Sequence, residues 1–230
     1  DSDKWYEYWC NERLNWYIEH GIPEDMVMLR PHDEDELSHY STGTSDVEFK
    51  FPWGFDELEG IAKRTDFDLK AHAAASGEKL DYFDPQTQER YVPFVIEPAA
   101  GATRTMAAFL LAAYDEDEVN GEVRTVLRLH PRLAPYKVAV LPLSKKDTLT
   151  PLAHEVRKLL ADRYMVDYDE TQNIGKRYRR QDEIGTPLAV TVDFDSLDDN
   201  AVTVRDRDTM EQVRVPIDQL LATVSEKLGF

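Results

Sequence analysis

Several features that would place the chain in other protein classes are scarce or absent. Cys10 is the single cysteine among 230 residues, so the sequence can form neither an internal disulfide nor a paired-cysteine zinc site. The longest apolar runs, Ala107–Tyr114 and Val138–Leu143, are far shorter than the roughly 20 residues that cross a bilayer, and no basic and apolar leader opens the chain. The sequence therefore predicts a soluble, cytoplasmic protein without a membrane span or a zinc site.

Positive charge is also scarce, with 27 Lys and Arg against 45 Asp and Glu and a net charge of −18. A polyanion is repelled by such a balance, which argues against a DNA-binding protein. The deficit is uneven, because residues 134–230 hold 14 Lys and Arg against 17 Asp and Glu, about −3, and residues 1–133 carry about −15. The near-neutral part contains a basic cluster, KRYRR at 176–180. Local charge therefore leaves contact with RNA open.

Residues 1–133 have the pattern of antiparallel strands with helices packed on them. Aromatic residues recur at helical spacing from Trp5 to Ile18, and Gly21 ends that predicted helix. Polar and apolar residues alternate from Val47 to Phe51, as in a half-buried strand, and Asp84-Pro85 marks the turn of a hairpin. A buried strand, YVPFVIEP, and an Ala- and Leu-rich helix follow. We therefore expect an antiparallel sheet with helices.

Residues 134–230 show a different order, strand–helix–strand, after a segment punctuated by Pro131 and Pro135. Strands are predicted at 138–143, 165–168, 188–194, 201–205 and 212–215, and helices at 149–164, 173–184 and 218–228. Strands that alternate with crossover helices indicate a small three-layer α/β domain with a mixed sheet. The sequence thus predicts two domains, residues 1–133 and 134–230.

The run VIEPAAGATRTMAAFLLAAY, residues 95–114, carries the strongest chemical signal. Its strand would deliver Glu97 to a pocket floor, and its small residues would let a ligand approach the backbone. Arg104 lies near the start of the following helix, where the positive potential favours anions. An isolated arginine in a first helical turn is more often an ordinary surface residue, so the surrounding pattern carries the functional interpretation.

A second segment, PWGFDELEGIAKRTDFDLKAH at 52–72, is rich in carboxylates beside small residues. Glu57, Glu59 and Glu97 can accept hydrogen bonds from an ammonium group. The alternative is that Glu57 and Glu59 flank Leu58 on an exposed strand face.

Two other groups of polar residues each have a functional and a structural interpretation. The basic residues of NIGKRYRRQDEIG, 173–185, can meet RNA phosphates, with Tyr178 stacking on a base and Asp182 reading a base edge, or they form a solvated face. His32 and Glu36 have metal-ligand spacing on an acidic segment, a pattern more typical of solvated side chains, so we assign them no metal.

These segments together resemble the C-terminal half of a bacterial-type glycyl-tRNA synthetase. Residues 95–114 look like motif 3 of the class II aminoacyl-tRNA synthetases, and residues 52–72 look like the segment between motifs 2 and 3. Residues 173–197 and 202–216 resemble the anticodon-binding domain shared by the glycyl, threonyl, prolyl and histidyl enzymes. The resemblance implies an α+β class II catalytic core, incomplete here, followed by the small α/β domain.

The resemblance also implies roles for individual residues, with Arg104 supporting the transition state. The implied ATP-binding residues are Glu57, Leu58, Gly101, Ala102, Thr103 and Arg104. The implied glycine-binding residues are Glu97, Pro98, Ala99, Ala100 and Gly101. The implied tRNA anticodon residues are Lys176, Arg177, Tyr178, Arg179, Arg180 and Asp182. The implied activity is ATP- and Mg²⁺-dependent formation of glycyl-adenylate and transfer of glycine to tRNA(Gly) by a homodimeric enzyme.

The chain departs from the family pattern at two positions. Many members have Ser in place of Ala99, and many have an acidic residue in place of Thr103, directly before the motif arginine. Motifs 1 and 2 are also missing, so we expect the isolated chain not to form adenylate. One alternative is a non-catalytic tRNA-binding or accessory protein derived from a synthetase. A prolyl or threonyl enzyme is disfavoured by the ELEGIAKRTDFDL match and by the lack of pocket residues suited to a larger side chain.

Overall fold

The alternating residues of the first part form an antiparallel sheet in a computed structural model, which describes residues 1–230. Its four strands have the order β1-β2-β3-β6, and every neighbouring pair is antiparallel. Together with three helices and a short hairpin, they make up the first of two packing units, Asp1–Ala112. The elements are α1 (Ser2–Glu19), β1 (Val27–Pro31), β2 (Thr44–Phe51), β3 (Gly54–Thr65), α2 (Phe67–Ser76), β4 (Tyr82–Asp84), β5 (Glu89–Tyr91), β6 (Val95–Ala100) and α3 (Ala102–Ala113).

Helix α1 covers one face of this sheet. Tyr17 is fully buried, and its ring stacks on Phe109 of α3 at a centroid distance of 6.0 Å. Arg13 and Tyr17 both reach Glu59 of β3, with Arg13 Nε and the Tyr17 hydroxyl each donating to the carboxylate at 2.7 Å. The aromatic spacing that predicted α1 therefore reflects packing on the sheet, and the other sheet face is left for a site.

The second unit, Ala113–Phe230, contains a five-stranded mixed sheet. Strand order is β10-β9-β11-β12-β13, in which β10, β9 and β11 are parallel and the β11-β12 and β12-β13 pairs are antiparallel. The elements are β7 (Tyr114–Val119), β8 (Glu122–Leu127), β9 (Val138–Pro142), α4 (Thr150–Ala161), β10 (Val166–Tyr168), α5 (Ile174–Glu183), β11 (Leu188–Val192), α6 (Ser196–Asp199), β12 (Ala201–Asp206), β13 (Gln212–Pro216) and α7 (Ile217–Leu228).

Alternate residues of the buried strands face opposite layers of this unit. Val138 and Val140 of β9 belong to the core formed with α4 and α7, to which Leu160 and Leu220 contribute. Ala139 and Leu141, on the opposite side of β9, pack in a second cluster with Ile174 and Tyr178 of α5. Helices therefore lie on both faces of the sheet, and the predicted mixed sheet between helices is confirmed. None of the helices combines the length and the apolar character needed to cross a membrane.

The packing units divide at Ala112/Ala113, earlier than the boundary predicted from Pro131, Pro135 and the change in element order, and the domains 1–133 and 134–230 stay a prediction. The difference comes from the hairpin β7–β8, which packs with the second unit. Asn120 and Gly121 have φ values of +54° and +82° at its turn. An Asn-Gly pair between strands is a typical hairpin signal, so this turn is encoded locally in the sequence.

A buried ion network fixes the hairpin to the second unit. Asp182 of α5, 1% exposed, accepts two hydrogen bonds from Arg205 of β12, at 2.8 and 3.1 Å. Arg124 of β8, also 1% exposed, lies 3.4 Å from the same carboxylate and donates to the carbonyl of Arg207 at 2.8 Å. Arg124 also pairs with Asp117 and holds the pKa of that carboxyl at about 2.

Two glycines that end helices differ in what surrounds them. Gly185 ends α5 with φ +80°, and a Cβ there would lie 3.0 Å from Leu129 Cδ1 and 3.1 Å from the Leu127 carbonyl oxygen. Gly229 ends α7 with φ +77° and has no atom within 4 Å of such a Cβ. The two positions have the same backbone requirement but different packing.

Gly185→Ala should lower the free energy of unfolding by about 3 kcal/mol, because left-handed strain and overpacking against β8 add. Gly229→Ala, the matched control, should cost only the strain, about 1 kcal/mol. Urea denaturation of both variants measures the difference. Equal losses would contradict the close packing of the hairpin on α5.

Asp182→Ala should lower the free energy of unfolding by about 3–5 kcal/mol, since it leaves Arg124 and Arg205 buried without their shared carboxylate. Asp198→Ala, on the exposed surface, should change it by less than about 0.5 kcal/mol. The same denaturation experiment applies. A loss below about 1 kcal/mol at Asp182 would mean that water or another group satisfies the two arginines.

Candidate functional site

A β-bulge in β3 separates the two predicted carboxylates of the DELEG segment. Glu57 is paired with Glu48 of β2, whereas Glu59 is paired with Val47, and the register shifts between them at Leu58. Their partners Glu48 and Val47 are consecutive residues of β2 and therefore face opposite sides of the sheet. Because of the bulge, Glu57 and Glu59 face opposite sides as well. Glu59 points to α1 and is 2% exposed in its ion pair with Arg13. The interpretation of Glu59 as an ammonium acceptor was therefore wrong, whereas Glu57 lies on the open face.

Most carboxylates of the open face already have basic side chains as partners. Asp46 lies 2.7 Å from His32 Nε2, and Glu48 accepts a hydrogen bond from Arg30 Nε at 2.8 Å. Glu97 of β6 accepts one from Arg64 Nη1 at 2.6 Å. Glu57 is exposed and has no ion pair. Both oxygens of Glu57 are therefore available to a ligand, whereas Asp46 and Glu97 each have one oxygen in an ion pair.

Arg64 holds Glu97 in place through a set of contacts of its own. Its guanidinium binds Asp68 at 2.6 and 3.0 Å and lies 4.0 Å above the centre of the Tyr40 ring. These carboxylates raise the pKa of Arg64 above its usual range, with Asp68 as the largest cause. Glu97 therefore has one oxygen fixed by a permanent cation.

Two cavities adjoin each other on this side of the sheet and share Glu57 and Ala99. One, of about 240 Å³, contains Asp46, Gly60 and Glu97 in its lining. A Cβ at Gly60 would lie 3.6 Å from both Asp46 Oδ1 and Glu57 Oε1, so the absent side chain leaves space between two carboxylates. This cavity suits a small cation such as an ammonium group.

The other cavity, of about 210 Å³, is lined by Asp56, Glu57, Leu58, Ala99, Gly101 and Arg104. Arg104 Nη2 lies 2.9 Å from Asp56 Oδ2, and its guanidinium carbon lies 4.8 Å from the centre of the Phe51 ring. Asp56 also accepts hydrogen bonds from Trp53 Nε1 and from Arg104, which lower its pKa. Arg104 is half-exposed and supplies the positive end of the paired cavities.

The structure brings together most of the residues predicted to bind ATP and glycine, but not all of them. Glu57, Leu58, Ala99, Gly101 and Arg104 line the cavity just described, and Glu97 lines the neighbouring one. Pro98 and Ala100 are paired with Ile61 and Glu59, so their side chains face α1. Ala102 and Thr103 lie exposed in the first turn of α3 and line neither cavity. The structure therefore places none of these four side chains in either cavity.

Sequence reasoning did not identify four contributors to this site, namely Asp46, Asp56, Gly60 and Arg64. Asp56, Gly60 and Arg64 lie inside the segment 52–72 that was singled out, but single residues in it could not be ranked. Asp46 lies one strand away, opposite Gly60 in the register of β2 and β3. Its position depends on strand pairing, for which the sequence carried no signal.

The second unit divides the predicted tRNA residues into buried and exposed groups. Arg177, 1% exposed, donates to the carbonyls of Pro142, Asp169 and Leu143 at 2.5–3.2 Å, and burial lowers its pKa. Asp182 lies in the ion network described above. Neither side chain is accessible to RNA in this structure, because both are buried and bound to groups inside the protein.

The remaining four predicted tRNA residues are at least partly exposed. Tyr178 donates to or accepts from Thr191 Oγ1 at 2.6 Å, and Arg205 lies 4.8 Å above its ring. Arg180 pairs with Asp169. Lys176 is exposed and Arg179 half-exposed, and neither forms an ion pair. These two are the cations of α5 most available to a phosphate.

The chain contains no group of three or more His, Cys, Asp and Glu side chains that could by itself hold a metal ion. His32 and Glu36, which have metal-ligand spacing, instead pair with Asp46 and Arg30. A magnesium ion bound together with phosphates needs only one or two protein carboxylates. The unpaired carboxylate of Glu57, in the same cavity as Arg104, fits that requirement.

Known proteins similar to the chain include glycine–tRNA ligases from several bacteria. The chain is 59% identical to that of Macrococcus caseolyticus, 57% to that of Bacillus anthracis and 56% to that of Corynebacterium glutamicum, in each case over 99% of its length. It covers 49%, 49% and 51% of these relatives, so it spans about half the length of the curated relatives it matches. Residues 137–227 match the family described as anticodon binding domain.

The segment that matches this family, residues 137–227, lies within the second unit and includes α5 and the five-stranded sheet. The predicted resemblance to glycyl-tRNA synthetases is confirmed by the identity over almost the whole chain. Since the match covers about half of the relatives' length, the chain is similar over nearly its whole length to the C-terminal half of the glycine–tRNA ligases.

Proposed function

We propose that the chain is the C-terminal part of a glycine–tRNA ligase, which activates glycine with ATP and transfers it to tRNA(Gly). The observation that carries this proposal is the pair of cavities that share Glu57 and Ala99. Carboxylates line one cavity and Arg104 lies in the other. Glycyl-adenylate has a matching polarity, with an ammonium group at one end and a phosphate close to it.

The carboxylate cavity would bind the glycine ammonium group. Glu97, Asp46 and Glu57 can accept its hydrogen bonds, and the space above Gly60 and Ala99 admits a molecule without a side chain. A larger amino acid would have to place its side chain in the same 240 Å³ cavity. Rejection of one added methyl group by such crowding is worth about 1–3 kcal/mol.

Arg104 would act on the phosphates of ATP. When an oxygen of the glycine carboxylate attacks the α-phosphorus, the bond to pyrophosphate breaks and negative charge develops on the phosphate oxygens. A fixed guanidinium stabilises that charge, and neither bond change needs a protein general base. Asp56 and the Phe51 ring orient Arg104 before ATP binds. A magnesium ion, which Glu57 could help to hold, would neutralise further phosphate charge when bound.

The first unit is proposed to be the end of a class II catalytic core, to which motifs 1 and 2 would add the remaining strands and a second phosphate-binding arginine. We accordingly expect the isolated chain not to form adenylate, and the full-length enzyme to be a cytoplasmic homodimer. The second unit would bind the anticodon arm of tRNA(Gly), consistent with the family matched by residues 137–227. The half-length match leaves one competing function, an accessory protein that binds tRNA without activating glycine.

Arg104→Ala, in a protein extended to the length of the relatives, should lower glycine-dependent ATP–pyrophosphate exchange about 10²–10³-fold, since it removes a fixed charge from the transition state. Arg90→Ala, at an exposed arginine of the β4–β5 hairpin, is the matched control and should leave exchange unchanged. If the unaltered extended protein folds and binds tRNA but shows no exchange, the accessory function replaces the ligase proposal.

Gly60→Ala should raise the KM for glycine about tenfold, because its methyl group would occupy the space between Asp46 and Glu57. The added Cβ makes only ordinary contacts at 3.6 Å, so stability should not change. Gly43→Ala places a methyl group 3.8 Å from the Tyr6 ring, outside the cavity, and serves as the matched control. An unchanged KM for glycine in Gly60→Ala would move the ammonium site elsewhere.

A further inference from the structure

The carboxylate cavity of the first unit is lined by a histidine that has no role in the proposed chemistry. His32 directly follows β1, and its amide donates to the Thr44 carbonyl at 2.9 Å, which continues the pairing of β1 with β2. Its side chain is 20% exposed and lines the same cavity as Asp46, Glu57 and Glu97. His32 can therefore act on a ligand of this cavity through the group that its ring contacts.

The His32 ring holds one oxygen of Asp46 and directs the other toward the cavity. Nε2 of the ring lies 2.7 Å from Asp46 Oδ2. A carboxylate oxygen accepts hydrogen bonds, so Nε2 carries the hydrogen and donates it. Asp46 Oδ1 lies on the cavity side, 3.6 Å from the position of a Cβ on Gly60. Because Oδ2 is fixed, the rotation of the carboxylate is fixed as well, and Oδ1 faces the space above Gly60.

The arginine closest to Asp46 is bound to other carboxylates. Arg30 Nη2 lies 3.9 Å from Asp46 Oδ2, which is beyond hydrogen-bond distance. Arg30 Nε donates to Glu48 at 2.8 Å, and Arg30 Nη1 donates to Glu36 at 3.0 Å. His32 therefore supplies the side-chain hydrogen bond that orients Asp46.

The orientation of Asp46 matters because the cavity contains three carboxylates. Glu57 Oε1 also lies 3.6 Å from the position of a Cβ on Gly60, and like charges at this separation repel each other until a cation binds between them. A carboxylate that rotated freely would turn away from this repulsion, and the ligand would have to reorder it. Acceptors that are fixed in advance avoid that cost. Glu97 is fixed by Arg64, and Asp46 needs an equivalent partner.

We infer that His32 is a positioning residue for glycine, because its Nε2 hydrogen bond orients Asp46 so that Oδ1 accepts a hydrogen bond from the glycine ammonium group. The inference rests on the proposed activation of glycine. His32 itself contacts neither glycine nor ATP, so its removal acts on the KM for glycine through Asp46. The ring transfers no proton, and a neutral donor of the same length serves equally well.

The test compares His32→Gln with His32→Met in the protein extended to the length of the relatives, by glycine-dependent ATP–pyrophosphate exchange. The two side chains have nearly the same length, but only glutamine can donate from the position of Nε2. His32→Met should raise the KM for glycine about tenfold, as expected for the loss of one hydrogen bond to a charged group. The KM for ATP and kcat should not change. His32→Gln should leave all three values close to those of the unaltered protein.

A second set of variants determines whether His32 acts through Asp46. Asp46→Asn should itself raise the KM for glycine, because the carboxamide lacks the charge that attracts the ammonium group. Adding His32→Met to Asp46→Asn should then cause little further increase, since the effects of two residues that act as a unit are not additive. His72→Ala, at an exposed histidine of α2, is the control and should leave the KM for glycine unchanged.

The outcomes distinguish this inference from the proposed function. An equal rise in the KM for glycine in His32→Gln and His32→Met overturns the inference, because the ring then acts through its charge or its shape. A parallel rise in the KM for ATP, or full additivity with Asp46→Asn, overturns it as well. In each of these cases the unaltered extended protein still shows exchange, and the proposed function stands. If that protein folds and binds tRNA but shows no exchange, both fail.

Discussion

The bulge at Leu58 decides how the charged residues of the first unit are used. It turns two glutamates that are close neighbours in sequence to opposite faces of one sheet, Glu57 to the open face and Glu59 to α1. Without the bulge, Glu57 and Glu59 would share a face, and either α1 would lose its buried anchor or the open face would lose a free carboxylate. A buried, paired carboxylate and an exposed, unpaired one are thereby separated by a single extra residue.

The basic side chains divide in the same way, into buried and exposed members. Arg124, Arg177 and Arg205 are buried and bind carboxylates or carbonyls inside the protein, and the partly exposed Arg13 binds the buried Glu59. Arg104 and Lys146 remain exposed, each beside an aromatic ring. A strongly acidic chain can therefore present positive charge at selected points, because its other cations and many of its carboxylates neutralise one another internally.

The fold could be predicted from the sequence where periodicity and turn residues were strong. The helix around Trp5–Ile18, the hairpin at Asp84-Pro85 and the α/β order of the second unit all rest on such local signals. Glu57, Glu97 and Arg104 were found through the resemblance of their segments. The burial of Arg177 and Asp182 was not foreseen, since charged residues are mostly exposed and only pairing across distant strands reveals their partners. The bulge at Leu58 likewise has no local sequence signature.

The docking of the β7–β8 hairpin through Arg124 has a consequence for the domain as an exchangeable module. The family match begins at residue 137, after the hairpin. A fragment cut there would lose Arg124 as the second cation of Asp182 and would uncover the apolar cluster of Ala113, Leu129 and Ala134. Recombination between synthetases that joined their chains at residue 137 would separate a buried charge from its partner. A junction near residue 113 would transfer the module with its ionic contacts intact.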